Sequence, residues 1–301
     1  MARDGGRRGH IGVWRLLSAA PAVLLSAMLV TIAFSWLLPY ALLTAAGWLL
    51  LVPPLLLTCP VERLAVRAIH RFRTPTGRDA EWLTWLRQRA EDRGKVPAGH
   101  LDWYVRDDPA PNAFAAGRHS IALTTGFLRL VYADRLTPDQ AVAVAVHEIG
   151  HHVTRGLRYG LVIDWLTWPW HTAYQTAIRV GHKLPLFGAG MLLTPIVFAV
   201  AIMNVVRDGR PPGQVVTVLV VLVAIALAIT LDPVVDAALA RAGENAADAY
   251  AAGLGVGPDL ALALRQLNPC RPGTLRGWAQ HTHPATDARQ RRLIGAPPPR
   301  P

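Results

Sequence analysis

The sequence predicts a mainly α membrane protein with four transmembrane helices and a soluble region that carries a few short strands. Three observations lead there. The chain of 301 residues contains four apolar runs that are long and almost free of charge. Arginines cluster beside the first two of these runs. Between the second and third runs lies a stretch with helical and strand-like periodicity, containing His147-Glu148-Ile149-Gly150-His151 on an alanine- and valine-rich helix pattern.

The first apolar stretch extends from Leu16 to Cys59, interrupted by Pro39-Tyr40 and Pro53-Pro54. At about 20 residues per crossing it holds two spans and a tight turn. A third run covers Leu186 to Val206 and a fourth Val215 to Leu231, joined through the turn sequence Arg207 to Gly213. A cleavable signal peptide fits the N-terminus poorly, because its apolar region is too long and a second run follows at once; a retained hairpin is expected. Arg3, Arg7, Arg8 and Arg15 precede the first span and Arg63, Arg67, Arg71 and Arg73 follow the second, while the link between them has no basic residue. The positive-inside rule then places both flanks, and the soluble region, on the cytoplasmic side. The two arginines of the 207–213 turn argue weakly against an outside location for that turn.

The expected organisation is a hairpin over residues 1–60, a first catalytic segment over 61–185, a second hairpin over 186–232, a second catalytic segment over 233–296 and a Pro-rich tail over 297–301. Within the soluble part, Trp82, Leu83, Trp85 and Leu86 give an apolar face to a helix over Asp79–Arg93. Strand-like stretches follow at Leu101–Val105 and Ser120–Thr124. Thr137 is an N-cap with Pro138 in the first helical position, so the motif helix begins there and ends near Gly156. Residues 164–183, with Trp165, Trp168, Trp170 and Tyr174, read equally as an interfacial segment or as an aromatic cluster in the soluble core. Short helices are expected around Ala242–Ala252 and Pro258–Leu267.

The net charge of +11 is explained by topology and contact with the lipid bilayer, because the basic residues gather beside the spans and no nucleic-acid motif accompanies them. Cys59 and Cys270 form neither a disulfide framework nor a zinc-finger spacing.

Residues four apart on a helix share a face, so His147 and His151 can grip one metal ion with Glu148 beside it. A catalytic zinc site needs a third protein ligand and an open position. Glu244 is the candidate, in Glu244-Asn245-Ala246-Ala247-Asp248, where Asp248 lies one turn on and can orient a ligand imidazole. Two membrane crossings between His151 and Glu244 would return both to one side. His152 is rotated about 100° from His151 and points off the metal face.

These residues resemble the paired zinc motifs of HtpX-type and CAAX-prenyl-type membrane endopeptidases. Pro111-Asn112-Ala113-Phe114-Ala115 with Gly117, Thr124-Thr125-Gly126-Phe127-Leu128, and His283-Pro284-Ala285-Thr286 with Arg289 are similar to further motifs of that group, in the same order. The resemblance implies a zincin-like (minigluzincin) catalytic domain with a small β-sheet. It implies one Zn²⁺ held by His147, His151 and Glu244, with Glu148 as general base. It also implies an edge strand at Asn112, Ala113, Phe114 and Ala115 for an extended substrate. His283 is the candidate stabiliser of the oxyanion, with His281 two residues away as its rival, and Arg289 is a candidate partner for His283 or Asp248. Polypeptide substrates, membrane or misfolded proteins, are expected on the cytoplasmic side. Two alternatives stand beside this: an intramembrane site-2-type metalloprotease with Asp232 as third ligand, and a non-catalytic zinc-binding scaffold. A prenyl-protein protease remains possible within the same fold, but four spans favour the HtpX-like branch.

Overall fold

The computed structural model describes residues 10–35, 40–154, 159–181, 212–267 and 286–295, with 183, 200, 203, 204 and 207. The chain divides into two compact units. One comprises Met1–Arg15, Pro54–Val162 and Asp236–Pro301, the other Leu16–Pro53 and Ile163–Val235.

The first unit holds a four-stranded mixed sheet in the order β1-β2-β4-β3, with β1 Phe72–Arg73, β2 Asp102–Arg106, β3 Ala113–Ala116 and β4 Ser120–Thr124. β2 and β4 run parallel, whereas β1 pairs antiparallel with β2 and β3 antiparallel with β4. Leu123 faces Ala113 across the β3–β4 pair and Ser120 faces Ala116. All five residues of β4 are buried, as expected of a strand with neighbours on both edges and a helix on one face. β3 is an edge strand, and its outer side has no strand partner among the described residues.

Several helices pack around this sheet. α4 (Cys59–His70) leads into β1 and α5 (Arg78–Gly94) into β2. α6 (Thr125–Tyr132) follows β4 directly and α7 (Pro138–Val153) comes next. α10 (Gly257–Leu267) and α11 (Thr286–Gly295) close the unit. The motif helix α7 starts where its local chemistry dictates. Thr137 Oγ1 accepts from Gln140 N at 3.2 Å and Gln140 Oε1 accepts from Thr137 N at 3.1 Å, a reciprocal capping box ahead of Pro138. It ends at Val153, three residues before Gly156. Every residue from Ala141 to Gly150 is buried, so α7 runs through the core between α5 and α10 and is not one of the apolar helices of the second unit.

The Thr124–Leu128 stretch braces the loop that enters β3. Thr124 caps α6, its Oγ1 accepting from Phe127 N at 3.1 Å and from Asn112 N at 2.8 Å. Thr125 Oγ1 donates to Asp108 O at 2.9 Å, and Gly126 N donates to Asp108 O at 2.9 Å. Gly126 lies so close to the loop that a Cβ there would meet Pro109 O at 2.3 Å. Gly126→Ala is therefore expected to cost on the order of 3 kcal/mol, because two backbones must separate. A lowered thermal midpoint of the detergent-purified protein checks this, and an unchanged midpoint would contradict the packing.

In the second unit, α1 (His10–Ser35), which continues that unit from Leu16, packs Ala22 and Leu25 against Ala224 and Ala228 of α9 (Pro212–Gly253). α8 (Gly160–Gly181) contributes Trp170, whose N donates to Ser26 Oγ at 3.1 Å and whose ring stacks on Tyr174 at 5.9 Å. Trp165 lies 6.4 Å from Trp48. Trp165 and Trp170 thus pack with apolar helices of this unit, Trp168 is exposed, and none of the three belongs to the core beside the sheet.

Four transmembrane helices were expected; among the described residues one helix, Leu17–Ser35, is by itself long and apolar enough to cross a membrane. Two bent pairs, Leu42–Leu56 with Cys59–His70 and Val216–Thr230 with Val234–Gly253, reach that standard only if each pair counts as one span. The reason for the second limb is length: α2 (Ala41–Leu50) and α3 (Val52–Leu56) break at Leu51. Together they rise about 24 Å, short of a hydrocarbon core of about 30 Å. Most of the expected third span, including all of 186–199, lies outside the described residues. The fourth run and the helix expected separately at Ala242–Ala252 are both part of α9, which bends by 42° between Thr230 and Val234.

Candidate metal centre

α7 and the C-terminal part of α9 build the centre at a point of close approach. A Cβ on Gly150 would lie 3.1 Å from Ala247 Cα, so glycine inside the HExxH motif lets the two helices touch through backbone. Glu244 lies one turn before Ala247 and Asp248 directly after it, which sets both carboxylates against the imidazoles of α7. His147, Glu148, Glu244 and Asp248 are all buried, and His151 is partly so.

His147 Nε2 lies 3.4 Å from Glu244 Oε2, and His151 Nε2 lies 3.4 Å from Glu244 Oε1. All three ligand atoms lie within 4.8 Å of one another. A tetrahedral ion with arms of about 2.0–2.1 Å has ligand–ligand edges of about 3.3–3.4 Å. Each imidazole nitrogen lies at that edge length from one oxygen of the Glu244 carboxylate, and this donor set, gathered within 4.8 Å, fits zinc in its chemistry.

Asp248 Oδ1 lies 3.1 Å from His147 Nδ1, which places the carboxylate to orient the ring with Nε2 towards the ligand cluster. Burial lowers the basicity of His147, but hydrogen bonds with Asp248 and Glu244 and the nearby carboxylate charges outweigh it and push the imidazole up to about 9. Arg289 on α11 is buried against the same carboxylates: Nε and Nη2 donate to Asp248 at 2.8 and 2.7 Å, and Nη1 lies 3.0 Å from Glu244 Oε2. Burial disfavours its charge, yet Asp248 and Glu244 hold the guanidinium protonated above its ordinary value. Burial likewise raises the Asp248 carboxyl, and hydrogen bonds from His147 and Arg289 reverse this, leaving it below its usual range.

His152 lies off this cluster. Its Nε2 donates to Ser120 O at 3.1 Å, tying α7 to β4, and burial pushes the ring down to about 4.

The cluster opens into a cleft of about 410 Å³. One wall is the edge strand, with Asn112, Ala113, Phe114 and Ala115. Val144 on α7 and Leu260, Leu264 and Leu267 on α10 form an apolar wall that the sequence reading did not single out. Its signal was present as leucines at helical spacing, which equally mark any core face. Of the residues named from sequence, the structure gathers His147, Glu148, His151, Glu244, Arg289 and Asn112–Ala115 around one cleft, and it places Asp248 behind them, bonded to Arg289. His281 and His283 lie outside the described residues, as does the side chain of Asp232.

An HExxH helix, a carboxylate from a distant helix and a flanking edge strand together define the metallopeptidase class of site. Comparison with known proteins narrows this. The chain belongs to peptidase family M48, whose model matches residues 78–296. It is similar to the "Protease HtpX homolog" of Leuconostoc citreum (strain KM20), 29% identical over 174 residues, 56% of this chain and 52% of the relative. The homologue of Ligilactobacillus salivarius (strain UCC118) is 29% identical over 187 residues, 60% and 55%. That of Methylibium petroleiphilum is 28% identical over 226 residues, 65% and 69%. The chain thus spans about half the length of the first two curated relatives. Among solved structures, S. mikatae Ste24p aligns with a TM-score of 0.45 and 18% identity, over 91% of this chain and 62% of that one.

Proposed function

We propose that the chain is a membrane-embedded zinc-dependent endopeptidase that hydrolyses peptide bonds of membrane or misfolded proteins on the cytoplasmic side. The observation that carries this is the convergence of His147 Nε2, His151 Nε2 and the Glu244 carboxylate beside Glu148, in a cleft walled by a strand edge with no strand partner among the described residues. His147, His151 and Glu244 would hold the ion, which when bound supplies Lewis acidity towards the scissile carbonyl and makes water more acidic.

The remaining steps belong to the chain. The backbone of β3 pairs with an extended substrate segment and presents one peptide bond to the cluster. The Glu148 carboxylate takes a proton from the attacking water and delivers it to the leaving amine nitrogen. Asp248 keeps the proton of His147 on Nδ1, and Arg289 holds Asp248 and Glu244 in place. His283 is the candidate donor to the oxyanion of the tetrahedral intermediate. Four apolar runs in the sequence, two before and two between the halves of the site, and arginines beside the first pair support the multi-pass, cytoplasm-facing placement.

The detergent-purified full chain should cleave an unfolded casein-type polypeptide, lose that activity on chelation and regain it with added Zn²⁺. Cleavage that persists undiminished after exhaustive metal removal would overturn the proposal.

A further inference from the structure

α4 is amphipathic in the inverse sense for a helix in water. Its inward side carries Glu62 and Val66, 2% and 0% exposed, while Leu64 and Ile69 are 69% and 57% exposed. At about 100° per residue, Val61, Leu64 and Ala68 form one ridge opposite Glu62 and Val66. Arg63 and Arg67 line one flank of that ridge, and Arg71 follows at the C-terminus. The ridge stands open among the described residues.

The buried carboxylate is well satisfied. Glu62 Oε1 accepts from the backbone N–H of Arg118, and Oε2 lies 3.4 Å from His119 Nδ1. Gly117 turns the β3–β4 hairpin beneath it with φ +56°, where a Cβ would meet Glu62 Oε1 at 2.5 Å. Glu62 therefore clamps the turn from which the edge strand β3 hangs. A helix packed on a domain and facing water normally turns its leucines inward and its glutamates outward. The inversion calls for an apolar medium on the outer side.

The identity of that medium follows from position and charge. α4 begins three residues after Leu56, where the apolar segment ends, and its N-cap is Thr58. Arg63 is engaged with Asp102 at 2.5 Å, whereas Arg67, its guanidinium 5.8 Å from the Tyr104 ring centroid, and Arg71 have no carboxylate partner among the described residues and can meet anionic groups. An exposed apolar ridge with arginines along its edge, next to a membrane-type segment, matches a helix lying in the headgroup boundary.

We infer that α4 is a membrane-surface helix, with its Val61–Leu64–Ala68 ridge in the bilayer interface and Arg67 and Arg71 on anionic lipid headgroups. Through Glu62, the same helix ties the substrate strand to the membrane surface. This inference rests on the membrane part of the proposed function and is independent of peptide cleavage.

The test uses the full chain with Cys59→Ser and Cys270→Ser, reconstituted in vesicles that contain lipids with brominated acyl chains. Single cysteines placed by Leu64→Cys, Ala68→Cys, Glu81→Cys or Leu24→Cys carry a bimane label. Bromolipid should quench the label at 64 and 68 by about half as much as at 24, within the apolar helix, and leave position 81 unquenched. Replacing phosphatidylglycerol by phosphatidylcholine should reduce quenching at 64 by about twofold, and Arg67→Gln with Arg71→Gln should remove that dependence. Labels at 64 and 68 that behave like 81 while 24 is quenched would overturn the inference alone. Labels that are shielded from water yet insensitive to bromolipid would also overturn it, since another stretch of chain would then cover the ridge. An unquenched label at 24 would refute the membrane placement itself.

Discussion

Glu148→Gln is expected to abolish peptide cleavage while leaving the metal content unchanged. The amide keeps the volume and hydrogen-bonding reach of the carboxylate but is too weak a base to take a proton from water. Loss of a positioned general base costs about 10²–10⁴ in rate. Glu148 is buried beside the ligand cluster without belonging to it, so His147, His151 and Glu244 keep their arrangement in the variant. Cleavage of an unfolded polypeptide, measured with elemental analysis of the same preparation, checks both halves. A fully active variant would end the mechanism. Loss of metal in the variant would move Glu148 into the ligand set.

Removal of a ligand should have an equally large effect on metal content. His147→Ala deletes one of three donors gathered within 4.8 Å of one another, and Glu244→Gln replaces an anionic oxygen by a weak neutral one. Both variants should retain well below a tenth of the wild-type zinc and show no cleavage. Glu244→Gln also leaves the buried Arg289 with one carboxylate fewer, because Nη1 lies 3.0 Å from Glu244 Oε2. Removing one partner of a buried ion pair costs about 3–5 kcal/mol, so part of any loss reflects stability. Asp248→Asn likewise takes a carboxylate from Arg289 but deletes no ligand, so it gauges the share due to stability. It disturbs the orientation of His147 without deleting a ligand and should weaken zinc affinity by about 10–100-fold. Wild-type zinc content in His147→Ala or Glu244→Gln, measured on folded detergent-purified protein, would refute the assignment.

Much of the centre was legible because its signals are local. HExxH announces its own geometry, since a helix places His147 and His151 on one face whatever surrounds them. Thr137 and Gln140 form a reciprocal cap within four residues, so the start of α7 could be read directly. β4, Ser120–Thr124, coincides with the strand read from sequence, and α5 differs from its expected range by one residue at each end. Elsewhere the signals misled. Asp232-Pro233 marks a break by composition, and α9 answers it with a 42° bend between Thr230 and Val234, not an end, continuing to Gly253, because an interior proline loses its N–H bond and crowds the preceding turn. The two-residue β1 had no periodicity to reveal it. The apolar wall formed by Leu260, Leu264 and Leu267 looked like any core-facing helix until the cleft beside it was located.

By itself, the sequence determined the chemistry: two imidazoles one turn apart with a glutamate between them, a later carboxylate pair one turn apart, and apolar runs between these halves. Those properties follow from helix periodicity and side-chain type, which act over four or five residues. Only the tertiary structure decided that Glu244 meets both imidazoles at 3.4 Å, that Arg289 joins Asp248 to Glu244, and that α4 buries its glutamate and exposes its leucine. Each of these depends on packing between segments far apart in the chain. The contact of Gly150 with Ala247 is the clearest case, because the space left by an absent Cβ acquires meaning only when another helix fills it.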